Sequence, residues 1–283
     1  MNYHTPAESL GTEPRARHYR SIWISDIHLG TRGCQADLLL DFLKYNESDH
    51  LYLVGDIIDG WRMRRSWYWT QSHNDVVQKI LRKARKGTNV TYITGNHDDC
   101  LRYFSGSDMM FGSIHLTDEM MHQTADGKKL WIIHGDRFDG VVKHAKWLAV
   151  LGDVAYTFML GLNTVFNMVR RYCGMGYWSL SSYVKGKVKN AVEFISSFET
   201  TLAEEARRHG ADGVVCGHIH KAEMRDIDGI LYCNDGDWVE SCTALVEHMD
   251  GQLEIIEWAS VRAFDRLARK TRAAVATPAP AQA

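Results

Sequence analysis

Residues 50–59, His-Leu-Tyr-Leu-Val-Gly-Asp-Ile-Ile-Asp, decide the fold of this chain. An apolar run ends at Val54, and Gly55 and Asp56 follow it directly. A short apolar run with a flanking glycine predicts a buried strand, here one with polar side chains at its carboxyl end. Four other stretches repeat this form, at residues 21–28, 90–98, 130–136 and 214–220.

Helical patterns separate the early strands. Apolar residues recur at helical spacing in Ala36–Tyr45 and in Asn74–Arg85. Strand-helix alternation predicts an α/β sheet, in which functional groups gather at the carboxyl ends of the strands. After His220 the pattern predicts short strands at residues 230–233, 242–248 and 253–258, then a basic helix at about 261–272.

The rhythm of the strands divides the chain. We predict a flexible N-terminus (1–18), a main domain (19–272) and a disordered tail (273–283). Within the domain the rhythm stops over 138–195, which predicts an inserted helical cap. The cap contains the longest apolar stretch, 147–169, but the charge of Asp153 argues against a membrane-spanning helix.

Composition limits the partners and the location. The 283 residues carry a formal net charge of −2, which gives no bulk attraction to nucleic acid, and no long basic track offsets this. We therefore expect no nucleic-acid partner. Six scattered cysteines without a C-x-x-C pair, and a polar N-terminus without an apolar signal region, predict a reduced protein in the cytoplasm.

The cap has a charge bias of its own. Residues 141–195 carry seven Lys or Arg against Asp153 and Glu193, together with many aromatic side chains. Apolar bulk beside a basic face is typical of an interfacial helix or a groove for acyl chains, which predicts peripheral contact with an anionic (inner) membrane. The alternative is a set of helices packed on the core with a solvated basic face.

Seven side chains at the predicted strand ends form a candidate metal site: Asp26, His28, Asp56, Asn96, His134, His218 and His220. Asp26 and His28 lie two residues apart at a strand end, so we expect both to point to one side, and likewise His218 and His220. Carboxylate, imidazole and amide ligands suit Mn²⁺, Fe²⁺ or Zn²⁺. Seven ligands are too many for one ion and suit two ions that share a carboxylate and a water.

Each match taken alone has an ordinary structural explanation. Asp56 after a glycine could cap a helix, and His134 could be a core histidine bonded to a backbone carbonyl. Five clusters in a fixed order, each directly after a predicted strand, favour the metal site.

The ordered set D-x-H, G-D-x-x-D, G-N-H-D, H and G-H-x-H, from Asp26 to His220, resembles the calcineurin-like metallophosphoesterase superfamily. The resemblance implies a four-layer α/β-β/α sandwich, two divalent ions (most of all Mn²⁺) and hydrolysis of a phosphate ester or diphosphate. It also implies a division of the ligands. Asp26, His28 and His220 would hold one ion, and Asn96, His134 and His218 the other, with Asp56 between them. His97 would stabilise the transition state or protonate the leaving group, and Asp59 would orient His97.

Within that superfamily the chain is most similar to the UDP-2,3-diacylglucosamine diphosphatases of lipid A biosynthesis, in chain size, strand-end motifs and a cap before G-H-x-H. It departs from them at His97, where many carry arginine, and in the segment Trp61–Trp69. Arg62, Arg64 and Arg65 could hold a diphosphate, and Trp61 or Trp67 could stack on a base; a solvated loop is the alternative.

Three hypotheses about function follow. The first is a diphosphatase acting on a lipid-linked nucleotide. The second is a soluble phosphodiesterase or phosphatase acting on a small nucleotide ester. The third is a non-catalytic protein-binding scaffold, against which the complete ligand set and His97 argue.

Overall fold

Two β-sheets pack face to face with helices outside them. The structure, a computed structural model, describes residues 16–105, 109–141 and 195–263. Across these ranges, no helix is both long and apolar enough to cross a membrane.

The first sheet has seven strands, with its parallel strands in the middle. In spatial order they are β12 (Leu253–Glu257), β11 (Thr243–Glu247), β1 (Arg17–Ile24), β2 (Asn46–Val54), β3 (Asn89–Ile93), β5 (Ile114–Thr117) and β4 (Met110–Phe111). β1, β2, β3 and β5 run parallel, whereas β11 and β12 are antiparallel to their neighbours. The carboxyl ends of the central strands therefore meet at one edge.

The second sheet has five strands and the same arrangement on a smaller scale. In spatial order they are β6 (Glu119–Gln123), β7 (Lys129–Ile133), β8 (Gly213–Cys216), β10 (Ile230–Asn234) and β9 (Glu223–Ile227). β7, β8 and β10 are parallel, and the outer strands β6 and β9 are antiparallel.

Six helices complete the described part of the chain. They are α1 (Ala36–Tyr45), α2 (Gly60–Arg65), α3 (Gln71–Arg85), α4 (Arg102–Ser105), α5 (195–208) and α6 (258–263), with 3-10 turns at Asp99–Leu101 and Asp136–Val141. α1 forms because apolar residues at helical spacing, including Leu39 and Phe42, give it one buried face. The side chain of Thr70 caps the first turn of α3.

Alternation along the strands builds separate apolar layers. On β1, Ile22 packs towards α1, while Trp23 packs between the sheets against residues such as Val54 and Leu130. On the second sheet, Val214 packs against Phe198 of α5. The order helix, sheet, sheet, helix confirms the four-layer α/β-β/α sandwich.

The predicted strands and helices that carry a clear apolar run or apolar face are present in the structure. Several other elements were not predicted. The five strands that precede the polar clusters are present, as are α1 and α3. The strands β4, β5, β6 and β9 and the helices α2, α4 and α5 were not predicted, apart from the start of α5 in the cap. The predicted closing helix begins earlier, at residue 258, and is described only as far as 263.

Parts of the predicted domain plan lie outside the described residues. This applies to the tail (273–283) and to most of the cap (138–195), whose described ends are a 3-10 turn and the start of α5. It also applies to nearly all of the N-terminal segment (1–18), although Arg17 and His18 already belong to β1.

Candidate metal centre

The predicted ligands lie on loops at the carboxyl edge of both sheets, in an unusual backbone conformation. Five of them have positive φ, namely Asp26 (48°), His28 (52°), Asp56 (54°), His218 (71°) and His220 (53°). Elsewhere among the described residues only two other non-glycine residues have positive φ. Such conformations cost free energy and concentrate at functional sites.

The backbone conformation, and not the alternation of a strand, sets the directions of the side chains in the pairs Asp26/His28 and His218/His220. β1 ends at Ile24 and β8 at Cys216, so Asp26, His28 and the two histidines lie beyond the strands. The expectation that strand alternation points each pair to one side was therefore wrong in its mechanism. The left-handed turns place the side chains instead, and they send His218 and His220 to different groups.

The first group joins Asp26, His28 and His220. The Nε2 atom of His220 lies 2.9 Å from Oδ1 of Asp26 and 3.4 Å from Nε2 of His28. The Nε2 atom of His28 lies 3.7 Å from the same carboxylate oxygen. Three potential ligand atoms thus face one another around a common point.

The second group joins Asp56, His134 and His218. The Nε2 atom of His134 lies 3.4 Å from Oδ1 of Asp56. Its other ring nitrogen, Nδ1, donates a hydrogen bond of 2.8 Å to the carbonyl oxygen of Val54, which leaves the lone pair of Nε2 directed at the group. The bond to a backbone carbonyl therefore involves only one of the two ring nitrogens and leaves the other available for a metal ion.

Asp56 lies between the two groups. Its Oδ2 atom is 3.9 Å from Nε2 of His28, and its Oδ1 atom accepts a 2.8 Å hydrogen bond from the backbone N–H of His97. The loop that carries Asn96 approaches closely because Gly95 has no side chain, since a Cβ there would lie 2.3 Å from Oδ1 of Asp56. Asn96 is buried in this loop.

Unpartnered atoms show that this arrangement fits divalent metal ions. On the predicted ligands, four buried atoms have no hydrogen-bond partner within the described part of the chain: Oδ1 of Asp26, Oδ2 of Asp56, Oδ1 of Asn96 and Nε2 of His134. Each such atom costs about 1–3 kcal/mol unless something binds it. Oxygen and imidazole donors together suit Mn²⁺, Fe²⁺ or Zn²⁺.

Neighbouring carboxylates and imidazoles at the site stabilise each other's charged forms. Burial raises the pKa of Asp56, but the His134 imidazole outweighs this and holds it well below its usual range. Burial alone would lower the pKa of His134, but Asp56 and Asp26 raise it to about 10. Cations bound among these carboxylates would replace the imidazole protons, so metal binding would release protons.

Asp59 touches two histidines rather than one. Its Oδ2 atom is hydrogen-bonded to Nδ1 of His28 at 3.2 Å. Its Oδ1 atom lies 3.0 Å from Nδ1 of His97, without hydrogen-bond alignment, and accepts the backbone N–H of Arg62 at the start of α2. Asp59 thus connects a predicted ligand, His97 and the first turn of a helix.

Sequence reasoning missed two residues that support the site. The Oγ atom of Ser25 lies 2.8 Å from Oδ2 of Asp26 and 2.5 Å from Oδ1 of Asp235. Ser25 directly precedes a predicted ligand, which is a signal. Asp235 follows β10 and has no such signal, because only the docking of the sheets brings it to Ser25.

The segment Trp61–Trp69 divides into two parts. The ring of Trp61 packs 4.5 Å from that of His97, and 44% of the residue is exposed. Trp67 is 73% exposed, whereas Trp69 packs on the core and against His73. The predicted substrate-binding residues Arg62, Arg64 and Arg65 are all exposed. Of the four predicted substrate-binding side chains, Trp61 is the one in contact with the site.

Comparison with known families gives an identity at the family level. The family model described as calcineurin-like phosphoesterase matches residues 19–222. The chain therefore belongs to the calcineurin-like phosphoesterase family, a class of metal-dependent hydrolases that use a dinuclear centre. No curated protein matches the sequence.

Several solved structures are similar, all at low identity. A single mutant of Vps29 from Entamoeba histolytica is 13% identical and has a TM-score of 0.38, with 84% of this chain and 98% of that chain covered. An archaeal phosphodiesterase is 14% identical with a TM-score of 0.37, covering 83% and 98%. A predicted phosphoesterase from Streptococcus pneumoniae is 12% identical with a TM-score of 0.35, covering 85% and 90%.

Proposed function

We propose that this calcineurin-like phosphoesterase uses two divalent transition-metal ions, preferably Mn²⁺, to hydrolyse a diphosphate bond. Its proposed substrate is of the UDP-2,3-diacylglucosamine type. The observation that carries the metal-dependent part is the set of buried, unpartnered ligand atoms at one edge of the two sheets. The substrate part rests on the basic and aromatic segment beside them and on the resemblance of the sequence.

The proposed ligand roles follow the two groups. Asp26, His28 and His220 hold one ion, and His134 and His218 hold the other together with Asn96. Asp56 serves both, and its position between the groups supports this role. When bound, such a pair of ions activates water near neutral pH and neutralises charge on a phosphoryl group.

His97 is proposed as the residue that gives a proton to the leaving oxygen. Its Nε2 atom lies 3.8 Å from Oδ2 of Asp56, so it faces the place where the phosphoryl group would lie. Asp59 faces Nδ1, the other ring nitrogen, and the ring of Trp61 limits how the imidazole can turn. A held imidazole beside the reacting phosphorus is what general acid catalysis requires.

The substrate would extend from the metal centre over α2. The exposed face of Trp61 offers a surface for a base or an apolar group. Arg62, Arg64 and Arg65 supply positive charge on the same short helix, which suits a diphosphate. The predicted cap, with seven basic residues between 141 and 195, would contact the acyl chains or an anionic membrane.

A product assay tests the proposal. The purified chain with Mn²⁺ is given UDP-2,3-diacylglucosamine, the same compound without acyl chains, simple nucleotide diesters and a chromogenic diester. We expect UMP and diacylated glucosamine 1-phosphate from the first. In ¹⁸O-labelled water the label should appear in UMP if the phosphorus nearest uridine is attacked. Removal of the acyl chains should lower kcat/KM sharply, because remote contacts position the reacting phosphorus.

Two tryptophans on the same segment provide a matched control. Trp61→Ala should lower kcat/KM for the nucleotide substrate, whereas Trp67→Ala, which lacks contact with His97, should change it little. Rapid turnover of simple diesters with no turnover of the lipid substrate would replace this substrate with a small nucleotide ester. No turnover of any ester in a metal-loaded protein would indicate a scaffold instead.

A further inference from the structure

A cavity of about 420 Å³ opens at the amino ends of the strands, between the two sheets. Its walls come from β1, β2, β3, β5 and β6 and from the β4–β5 turn. None of the described residues that line it is a predicted metal ligand. From His50 in its wall, β2 runs six residues to Asp56, which is roughly 20 Å at about 3.3 Å per residue. The cavity is therefore a place separate from the metal centre.

The polar groups beneath the cavity are paired with one another. Glu247 accepts hydrogen bonds from Arg20 at 2.8 Å and from Ser21 at 2.7 Å, and it bonds to Nε2 of His122 at 2.9 Å. The hydroxyl of Tyr52 donates to Nδ1 of the same histidine at 2.9 Å. This network fixes the positions of Arg20 and His122, which both line the cavity.

Four polar side chains in the wall differ from those of this network. The side chains of His50, Asn89, Thr91 and Ser113 all line the cavity and have no hydrogen bond within the described residues. Each carries an N–H or O–H that can donate. Beyond Tyr52 on β2 and Thr91 on β3, the next inward-facing positions are Val54 and Ile93, which are apolar and packed between the sheets. The polar wall is thus confined to the amino end of this layer.

The lining formed by the described residues offers hydrogen-bond donors and no acidic side chain. It includes Arg20 and three histidines, and it contains no Asp or Glu. Burial, and then the neighbouring His122 and Arg20, lower the pKa of His50. A lining without carboxylates places no negative charge directly against a bound anion. Two exposed methionines, Met110 and Met121, form an apolar rim beside these groups.

We propose that this cavity is a second ligand site, which binds a small organic oxyanion. A phosphate or carboxylate group is held by the donors of His50, Asn89, Thr91 and Ser113, and a compact apolar portion contacts Met110 and Met121. The site is independent of the hydrolytic function proposed above, since it shares no residue with the metal centre.

Nuclear magnetic resonance of ring-labelled histidines tests this directly. The full chain loaded with diamagnetic Zn²⁺ is titrated with inorganic phosphate and, separately, with benzoate, and the His50 signal is assigned from His50→Gln. We expect a saturable shift of His50 with at least one of the two, and the one that binds identifies the oxyanion. His209, which stacks 4.4 Å from Trp131 away from the cavity, should not move.

A near-isosteric variant decides whether the wall makes the contact. Thr91→Val removes one hydroxyl and should weaken binding roughly tenfold, the usual loss for one hydrogen bond to a charged group. His209→Gln should bind as the unaltered chain does, and thermal unfolding checks that both variants fold. A His50 shift that sodium chloride reproduces, a shift confined to His97 at the metal centre, or equal affinity in Thr91→Val would overturn the proposal.

Discussion

Both ends of the layer between the sheets contain buried carboxylates, and those at one end are fully hydrogen-bonded whereas those at the other are not. At the amino end, Glu247 is buried and bonded to Arg20 and to His122. At the carboxyl end, Asp26 and Asp56 are equally buried and each keeps an oxygen without a partner. A buried carboxylate whose oxygens are all hydrogen-bonded stabilises the fold, whereas one with an unpartnered oxygen is able to bind a metal ion.

The backbone shows the same contrast. The amino-end residues lie within regular strands, while Asp26 and Asp56 have positive φ beyond the strand ends. Close approach reinforces this, since a Cβ on Gly55 would lie 2.4 Å from the ring of His134. Unfavourable conformation and unpaired atoms together mark the end where a ligand compensates for both.

Removal of Asp56, the carboxylate proposed to serve both ions, should have the largest effect at the carboxyl end. Asp56→Ala should lose most of both metal ions and reduce hydrolysis to background, because both groups depend on that side chain. Elemental analysis and a diester assay measure the two effects. Asp250→Ala, a change of an exposed carboxylate on a turn, should keep its metal content. Two ions retained in Asp56→Ala would contradict the dinuclear centre.

His97 should separate catalysis from metal binding. His97→Ala should keep its ions but lose about 10²–10⁴-fold in kcat, the usual range for a general acid. His209→Ala alters a histidine far from the site and serves as the control. Loss of an ion from His97→Ala would make this histidine a ligand instead.

Asp59 should have a smaller and mixed effect. Asp59→Asn keeps a side chain that can cap α2, but it weakens the contacts to His28 and His97. We expect a loss of about 10–100-fold, divided between metal affinity and kcat, as is usual for residues that support ligands. Metal titration and kinetics on one preparation separate the two parts. An unchanged metal affinity would show that Asp59 acts through His97 alone.

Glu247 should affect stability and leave hydrolysis unchanged. Burial raises its pKa, but hydrogen bonds from His122 and Ser21 and from the backbone of Ala125 lower it from 4.5 to about 2. The stability that this carboxylate contributes is therefore complete above about pH 4.5 and is lost as the pH falls towards 2. It amounts to at most about 3 kcal/mol.

Urea unfolding of the unaltered chain and of Glu247→Gln at several pH values between 7 and 2.5 measures this difference. The variant should be less stable at neutral pH, and the gap should narrow as the pH falls. A gap that stays constant with pH would show that Glu247 contributes through packing alone.

The fold was predictable where the apolar residues of an element form a local pattern in the sequence. β2 and β3 are apolar runs, and α1 has an apolar face, so each carries its own signal. β6, with the sequence Glu-Met-Met-His-Gln, does not, because its buried His122 depends on Glu247 from a distant strand. β9 is nearly all exposed or half-exposed and has no apolar pattern to read.

The sequence proposes which residues form the candidate site, but it does not predict their geometry. The order of motifs along the chain proposes Asp26 and His220 together, yet only the docked sheets place their side chains 2.9 Å apart. The contact of Ser25 with Asp235 and the second contact of Asp59 also depend on that docking. The segment Trp61–Trp69 has one composition, but the burial of Trp69 and the exposure of Trp67 were not visible in it.

The predicted ligands come from both sheets, so metal binding would also stabilise the fold. Asp26 and Asp56 follow strands of the first sheet, and His134 and His218 follow strands of the second. Ions held between them would connect the two sheets and would bind the native chain but not the unfolded one. Stability would then rise with the logarithm of free metal, by about 2.7 kcal/mol at a hundred times the dissociation constant. Depletion of the metal would then lower the stability of the protein as well as its activity.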